Sequence, residues 1–280
     1  MAELILRNSV VRNNGDHGIQ TTGYLAPNAI IREMTNSVIE GNGEDGIRSP
    51  NGASPMTFQF NSIHNNQGNG IYASVSNAGT DTVLTISGNY IHHNGGTGIL
   101  SSRAIIVDDT LQHNNIPIGV IGELSKPGTV NDQGNFYQGN VITDNNIDSV
   151  ISVAGTIRGV LGGSWPQGYT ETVLIANSEN TDLDLNSGDS LVVAPGTIFK
   201  GRDNNDINIE GTLVSVGEED NKIIFTSFKD DTFGGNTNRD TTDVIPEPRD
   251  WRGFDIRDAG SDSSFIKNTI ILYADYNLYL

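Results

Sequence analysis

One phrase of 11 or 12 residues recurs along the first hundred positions: NSVVRNNGDHGI (8–19), NSVIEGNGEDGI (36–47), NSIHNNQGNGI (61–71) and GNYIHHNGGTGI (88–99). Aligning it on the pairs Val10-Val11, Val38-Ile39, Ser62-Ile63 and Tyr90-Ile91 brings Asn14, Asn42, Asn66 and Asn94 into one column. Looser copies extend the column to Asn114 and Asn145. The closing Gly-Ile pairs recur every 24 to 28 residues. Such a period belongs to a solenoid, in which each unit packs on its neighbours, rather than to a closed globule.

Each unit holds two or three apolar stretches of 3 to 5 residues, rich in Val and Ile and separated by Asn and Gly. Stretches that short, β-branched and bounded by turn residues, form strands and leave no room for a helix. The 33 glycines and about thirty asparagines supply residues that tolerate positive φ at sharp corners. A leucine-rich horseshoe has a similar period, but its Leu-x-x-Leu-x-Leu pattern is absent. The expected fold is all-β, a parallel β-helix solenoid with polar loop insertions. Its rungs stack at about 4.8 Å, so aligned asparagines can hydrogen-bond as a ladder.

The pattern N-S-x-I-x-x-N-x-x-x-G-I over residues 1–121 resembles the repeats of the pectate-lyase-like right-handed β-helix superfamily. The resemblance implies the right-handed fold but little about activity, because that superfamily includes lyases, hydrolases, epimerases, adhesins and structural surface proteins.

After Asn145 the repeat fades, and a boundary is expected near the Gly-rich stretch GGSWPQGYTE (162–171), giving one set of rungs over 1–157 and a second over 158–280. The second set reads differently: VAPGTIF (193–199), GTLVSV (211–216), IIFTS (223–227), a polar insertion over 228–250, then WRGF (251–254). These phrases resemble the opening rungs of bacterial and archaeal cell-surface β-helix proteins. In those proteins they open the domain, whereas here they stand on the C-terminal side.

Both ends of the sequence read as bare strand, AELILRNSVV and NTIILYADYNLYL, with no capping element expected at either. An open solenoid end exposes backbone edges and apolar core. The residues expected to carry self-association are Leu4, Ile5 and Leu6 at one end, with Ile270, Ile271, Leu272, Leu278 and Leu280 at the other. A heterologous contact of this kind does not close on itself and yields a fibre. The competing expectation is a piece cut from a longer tandem array.

Acidic residues outnumber basic ones 34 to 16, for a formal charge of −18. Such a surface repels nucleic acid and anionic lipid, so no nucleic-acid partner is expected. No apolar run reaches the length of a membrane helix, so no membrane insertion is expected either. There is no cysteine, which excludes thiolate catalysis and disulfides. Any export signal lies outside these 280 residues.

Asn236, Asn238, Asp240 and Asp243 have a hard oxygen-ligand spacing like the first half of a calcium loop, although the central Gly and twelfth-position Glu of an EF-hand are missing. In the resembling surface proteins the phrase is closer to GGDTNGDG, and Asn236 and Thr241 depart from it. Calcium is thus the one cofactor with a candidate site, a plain solvated loop is the alternative, and no cofactor is required. Asp182, Asp184, Asn186 and Asp189 are interleaved with Leu183 and Leu185, the in-out pattern of a half-buried strand. His64 and His92 fall in one column after Arg12 and Glu40, where stacked imidazoles with no nearby aligned carboxylate are expected. Asp16-His17-Gly18 reads as a turn.

Paired aspartates occur at Asp108-Asp109 and Asp230-Asp231, neither inside a recognised catalytic phrase, and the five lysines are scattered. The sequence therefore reads as a non-enzymatic extracellular or cell-surface structural protein, a head-to-tail homopolymer or adhesin. The alternatives are a polysaccharide-active lyase, epimerase or hydrolase, or a module binding extracellular polysaccharide through exposed Tyr72, Trp165 or Trp251.

Overall fold

The structure, a computed structural model, describes residues 2–21, 29–52, 56–75, 84–102, 104–121, 136–138, 140–145, 150–156, 159–161, 173–176, 182–238, 240, 244–257 and 264–279. Every described strand pairs in parallel, and no helix occurs among the described residues. The chain divides into two compact units, Met1–Val120 with Pro127–Asp148, and Ile121–Lys126 with Ser149–Leu280. Strand Val150–Thr156, placed by sequence in the first set of rungs, pairs with Val173–Ala176 in unit 2.

In unit 1 the described strands form six rungs and three ladders. Rung one comprises Ala2–Arg7, Val10–Arg12 and Ile19–Gln20, and rung two Ala29–Thr35, Val38–Glu40 and Ile47–Gly52. Met56–Gln59, Ser62–His64 and Ile71–Val75 make rung three, and Leu84–Ser87, Tyr90–His92 and Thr97–Ser102 rung four. Rung five is Ala104–Val107, Thr110–Gln112 and Ile116–Ile121, and rung six contributes Phe136–Gln138 and Val141–Thr143.

Register converts the repeat into a core. Ile39, Ile63, Ile91 and Leu111 stack in one column, Ile47, Ile71, Ile99 and Ile118 in a second, and Met34, Phe58, Ile86 and Ile106 in a third. All twelve are fully buried. Each such side chain contributes about 1.5–3 kcal/mol relative to exposure.

Two corners flank the short middle strand of each rung. Asn13, Gly41, Asn65, His93, His113 and Asp144 share left-handed backbone, with φ from 52° to 63°. Asn8, Asn36, Phe60, Gly88 and Asp108 form a matching column with φ from 49° to 65°. Each corner turns the chain sharply and hands the next residue inward, to the position of a ladder.

Unit 2 is built from three parallel ladders as well. One joins Val173–Ala176, Ile198–Gly201, Ile223–Ser227 and Thr269–Ile271; another joins Gly159–Leu161, Ser190–Val193, Thr212–Val216 and Phe265–Lys267. The third joins Leu183–Leu185, Asp206–Ile209, Trp251–Ile256 and Ala274–Tyr279. Its core is more aromatic: Phe199, Phe225, Phe254 and Trp251 pack with ring centroids 4.8 to 6.2 Å apart. Leu183 and Leu185 are buried while Asp184 lies half-buried between them, as the in-out reading required.

Candidate functional site

Stacked rungs must satisfy polar corners as well as apolar strands, because a buried peptide group left unpaired is costly. Asn14, Asn42, Asn66, Asn94, Asn114 and Asn145 form one continuous ladder, each Nδ2 donating to Oδ1 of the next at 2.8 to 3.1 Å. Each Oδ1 also accepts the backbone N–H of the preceding member, at 2.9 to 3.2 Å. From Asn66 onward Nδ2 donates a second bond to a strand carbonyl: Ile39, Ile63, Ile91 and Leu111 in turn. A carboxamide carries donor and acceptor on one rigid plane, so it can repeat along the axis indefinitely.

A second ladder, not found by sequence reading, follows the other corner: Ser9, Ser37, Asn61, Asn89, Asp109 and Asn140. Its composition is mixed, and the words NSV and NSI hide it, because Asn61 rather than Ser62 aligns with Ser9 and Ser37. A third, shorter series runs through His17, Asp45, Asn69 and Thr97. His17 is largely enclosed, its Nδ1 accepting the Asp45 N–H at 3.1 Å, which agrees with reading Asp16-His17-Gly18 as a turn.

The columns surface at rung one. Leu4 is 39% exposed, whereas its partner Ile31 is fully buried, and Leu6, Val11 and Ile19 are half-buried above buried Met34, Ile39 and Ile47. Asn14 begins the described ladder, its N–H and Nδ2 both donating to Asn42 Oδ1. Ile5 faces outward opposite Glu33, so it belongs to the flank rather than to the core end. Unit 2 has an equivalent rung. Leu278 is 47% exposed in register with buried Phe254, and Ile270 and Ile271 are half-buried above Ile224 and Phe225. Leu272 donates its N–H to the Phe225 carbonyl, and Leu280 lies outside the described residues.

In the polar insertion, Asn236 Nδ2 donates to the Asp240 carbonyl at 3.1 Å and Asn238 Nδ2 donates to Asp240 Oδ2 at 2.8 Å. These amides spend donors on Asp240, and Asp243 lies outside the described residues. A cation does organise this segment, but it belongs to the protein. Lys200 is buried and its Nζ donates to the carbonyls of Asp230 and Gly235 at 2.7 and 2.6 Å. Burial pushes its pKa down to about 8, opposed by the charges of Asp231 and Asp230. Among the described residues no group of three or more His, Asp or Glu is gathered to hold a metal ion.

His64 and His92 stack at 4.6 Å and Tyr90 stacks on His92, while His93 meets His92 edge-on and lies tilted against His113. The expectation of no nearby carboxylate is corrected: Glu40 Oε2 lies 3.5 Å from His64 Nε2, because Glu40 occupies the same column one rung earlier. The His92 pKa is pushed down to about 4, first by desolvation and then by His64, His93 and His113.

The paired aspartates separate. Asp109 and Asp230 are buried while Asp108 and Asp231 are exposed; at Asp108-Asp109 this follows from the corner, where Asp108 takes a positive φ and Asp109 turns inward. Trp251 does not serve an exposed glycan platform: it is fully buried against Phe199 and Phe254, and Nε1 donates to the Leu272 carbonyl at 2.8 Å. Trp165 lies outside the described residues, and Tyr72 is half-buried beneath the Arg48 guanidinium at 4.8 Å. A cavity of about 110 Å3 in unit 2 is lined by Arg202, Asp203, Ser227, Phe228, Lys229 and Asp250. Within it, Lys229 and Ser227 donate to Asp250 at 2.6 and 2.8 Å.

Parallel rungs with an apolar core and asparagine corners define a β-helix solenoid. Residues 2–116 match the family model described as right handed beta helix region, which gives the coil its hand. No curated protein and no solved structure matches the chain.

Proposed function

We propose that this chain is a non-enzymatic structural protein of the extracellular or cell-surface kind, whose open rungs bind a second copy of the chain and so build a head-to-tail filament. The observation that carries the reading is the surfacing of the core columns at Leu4 and Leu278, each in register with a fully packed neighbour. The complement of an exposed rung is another rung, which supplies strand hydrogen bonds and apolar cover together. Separation of the paired aspartates and the scarcity of lysine support the non-enzymatic part, and the charge of −18 suits a solvated exterior surface.

A concentration series by light scattering and electron microscopy tests the assembly. Growing particles of constant width are expected. A monodisperse monomer at high concentration overturns it and favours cover by chain flanking these residues. Incubation with uronate polymers tests the non-enzymatic part, which unsaturated or shortened products would refute.

A further inference from the structure

Asp109 sits where the second ladder needs a carboxamide. Its Oδ1 behaves like that of an asparagine, accepting the N–H and Nδ2 of Asn89 at 2.7 and 2.8 Å. Its Oδ2 is buried without a hydrogen-bond partner. In the neighbouring rungs that place is held by an Nδ2. Asn61 donates there to the Met34 carbonyl and to Asn89 Oδ1, Asn89 to the Phe58 carbonyl, and Asn140 to the Ile106 carbonyl. Met34, Phe58, Ile86 and Ile106 are in register, so the carbonyl assigned to Asp109 is that of Ile86, and the next acceptor along the axis is Asn140 Oδ1. The atom therefore faces acceptors, where an anion is repelled and an O–H would bond.

Asp45, in the third series, shows how this fold partners both oxygens of a carboxylate. Its Oδ1 takes two bonds from Asn69, and its Oδ2 takes Arg48 Nη1 at 3.0 Å. Among the described residues Asp109 has no such cation. Its flanking ladder residues Asn89 and Asn140 are neutral, and the charge acting on it is that of Asp108.

We propose that Asp109 is the proton-bearing joint of unit 1: a neutral carboxylic acid that donates through Oδ2 within the ladder, and whose ionisation loosens the step between rungs four and six. Desolvation raises its pKa to about 7, with Asp108 adding to the rise and the two Asn89 bonds opposing it. Because the folded value lies above the unfolded one, the stabilisation is complete below the unfolded carboxyl range and is lost as pH rises to about 7. The joint does not depend on how the ends assemble.

The test is thermal unfolding of the full chain from pH 4.5 to 8.5, comparing wild type with Asp109→Asn and Asp108→Asn. Within the window, the unfolding constant of wild type should rise about tenfold per pH unit relative to Asp109→Asn. Asp108→Asn should keep the dependence, displaced to lower pH. Infrared difference spectra of wild type should show a protonated-carboxyl band near pH 5.5 that is lost above pH 8 and absent in Asp109→Asn. Parallel stability curves, or no such band in folded wild type, would overturn the proposal, and the band keeps it testable if the variant folds poorly.

Discussion

The side-chain amide of Asn66 donates to Oδ1 of Asn94 across 2.9 Å, while its own Oδ1 accepts both the N–H and the Nδ2 of Asn42. One residue thus closes polar groups on three rungs. Asn66→Ala should destabilise unit 1 by about 2–3 kcal/mol, because buried donors on Asn42 lose their acceptor while Asn94 Oδ1 loses one of its two donors. Urea unfolding measures it. A loss no larger than that of an exposed substitution would mean water repairs the ladder.

The Gly-Ile pairs follow from the same ladder. A Cβ at Gly70 would lie 2.6 Å from the Gly98 carbonyl oxygen and 2.8 Å from Ile91 Cγ2, whereas at Gly15 nothing lies within 4 Å. Gly70→Ala should cost about 1–3 kcal/mol and Gly15→Ala far less, with thermal midpoints as the readout.

His92 carries a pH dependence opposite in sign to that of Asp109. Its folded pKa, near 4, is below the ordinary histidine value, so the folded chain binds fewer protons than the unfolded one between the two. Stability should fall as pH drops from about 6.5 towards 4. His92→Gln should flatten that limb, and proton NMR titration of the imidazole should give the depressed value directly.

In unit 2, Lys200→Met should destabilise by about 2–3 kcal/mol through the stranded Asp230 and Gly235 carbonyls, and should loosen the insertion first. Hydrogen exchange over residues 228–240 reads this out. Trp251→Ala should cost about 3–5 kcal/mol through the cavity left between Phe199 and Phe254, without altering binding on a glycan array.

Assembly should discriminate between adjacent residues of one strand. Leu4→Lys places a charge in an uncovered core column and should stop filament growth, as should Leu278→Lys at the other rung. Ile5→Ser lies on the flank and should leave it unchanged. Equal effects of Leu4→Lys and Ile5→Ser would show that contact is made sideways.

Much of the molecule was legible as text. The recurrence of Asn14, Asn42, Asn66, Asn94, Asn114 and Asn145 placed one ladder correctly, because identical residues must meet identical surroundings in a stack. The second ladder was not legible, since Ser37, Asn89 and Asp109 fill one role with different side chains. Trp251 misled for a related reason: an aromatic ring in a polar context reads as a platform, yet register turns it into the core.

Period, strand length and the preference of asparagine and glycine for left-handed corners act locally, and they settled that this chain coils into stacked parallel strands. Which side chain of each corner pair points inward and which carboxyl loses its water were decided by the stacking itself. Burial and hydrogen-bond complement belong to the rung above and the rung below, and no single repeat contains them.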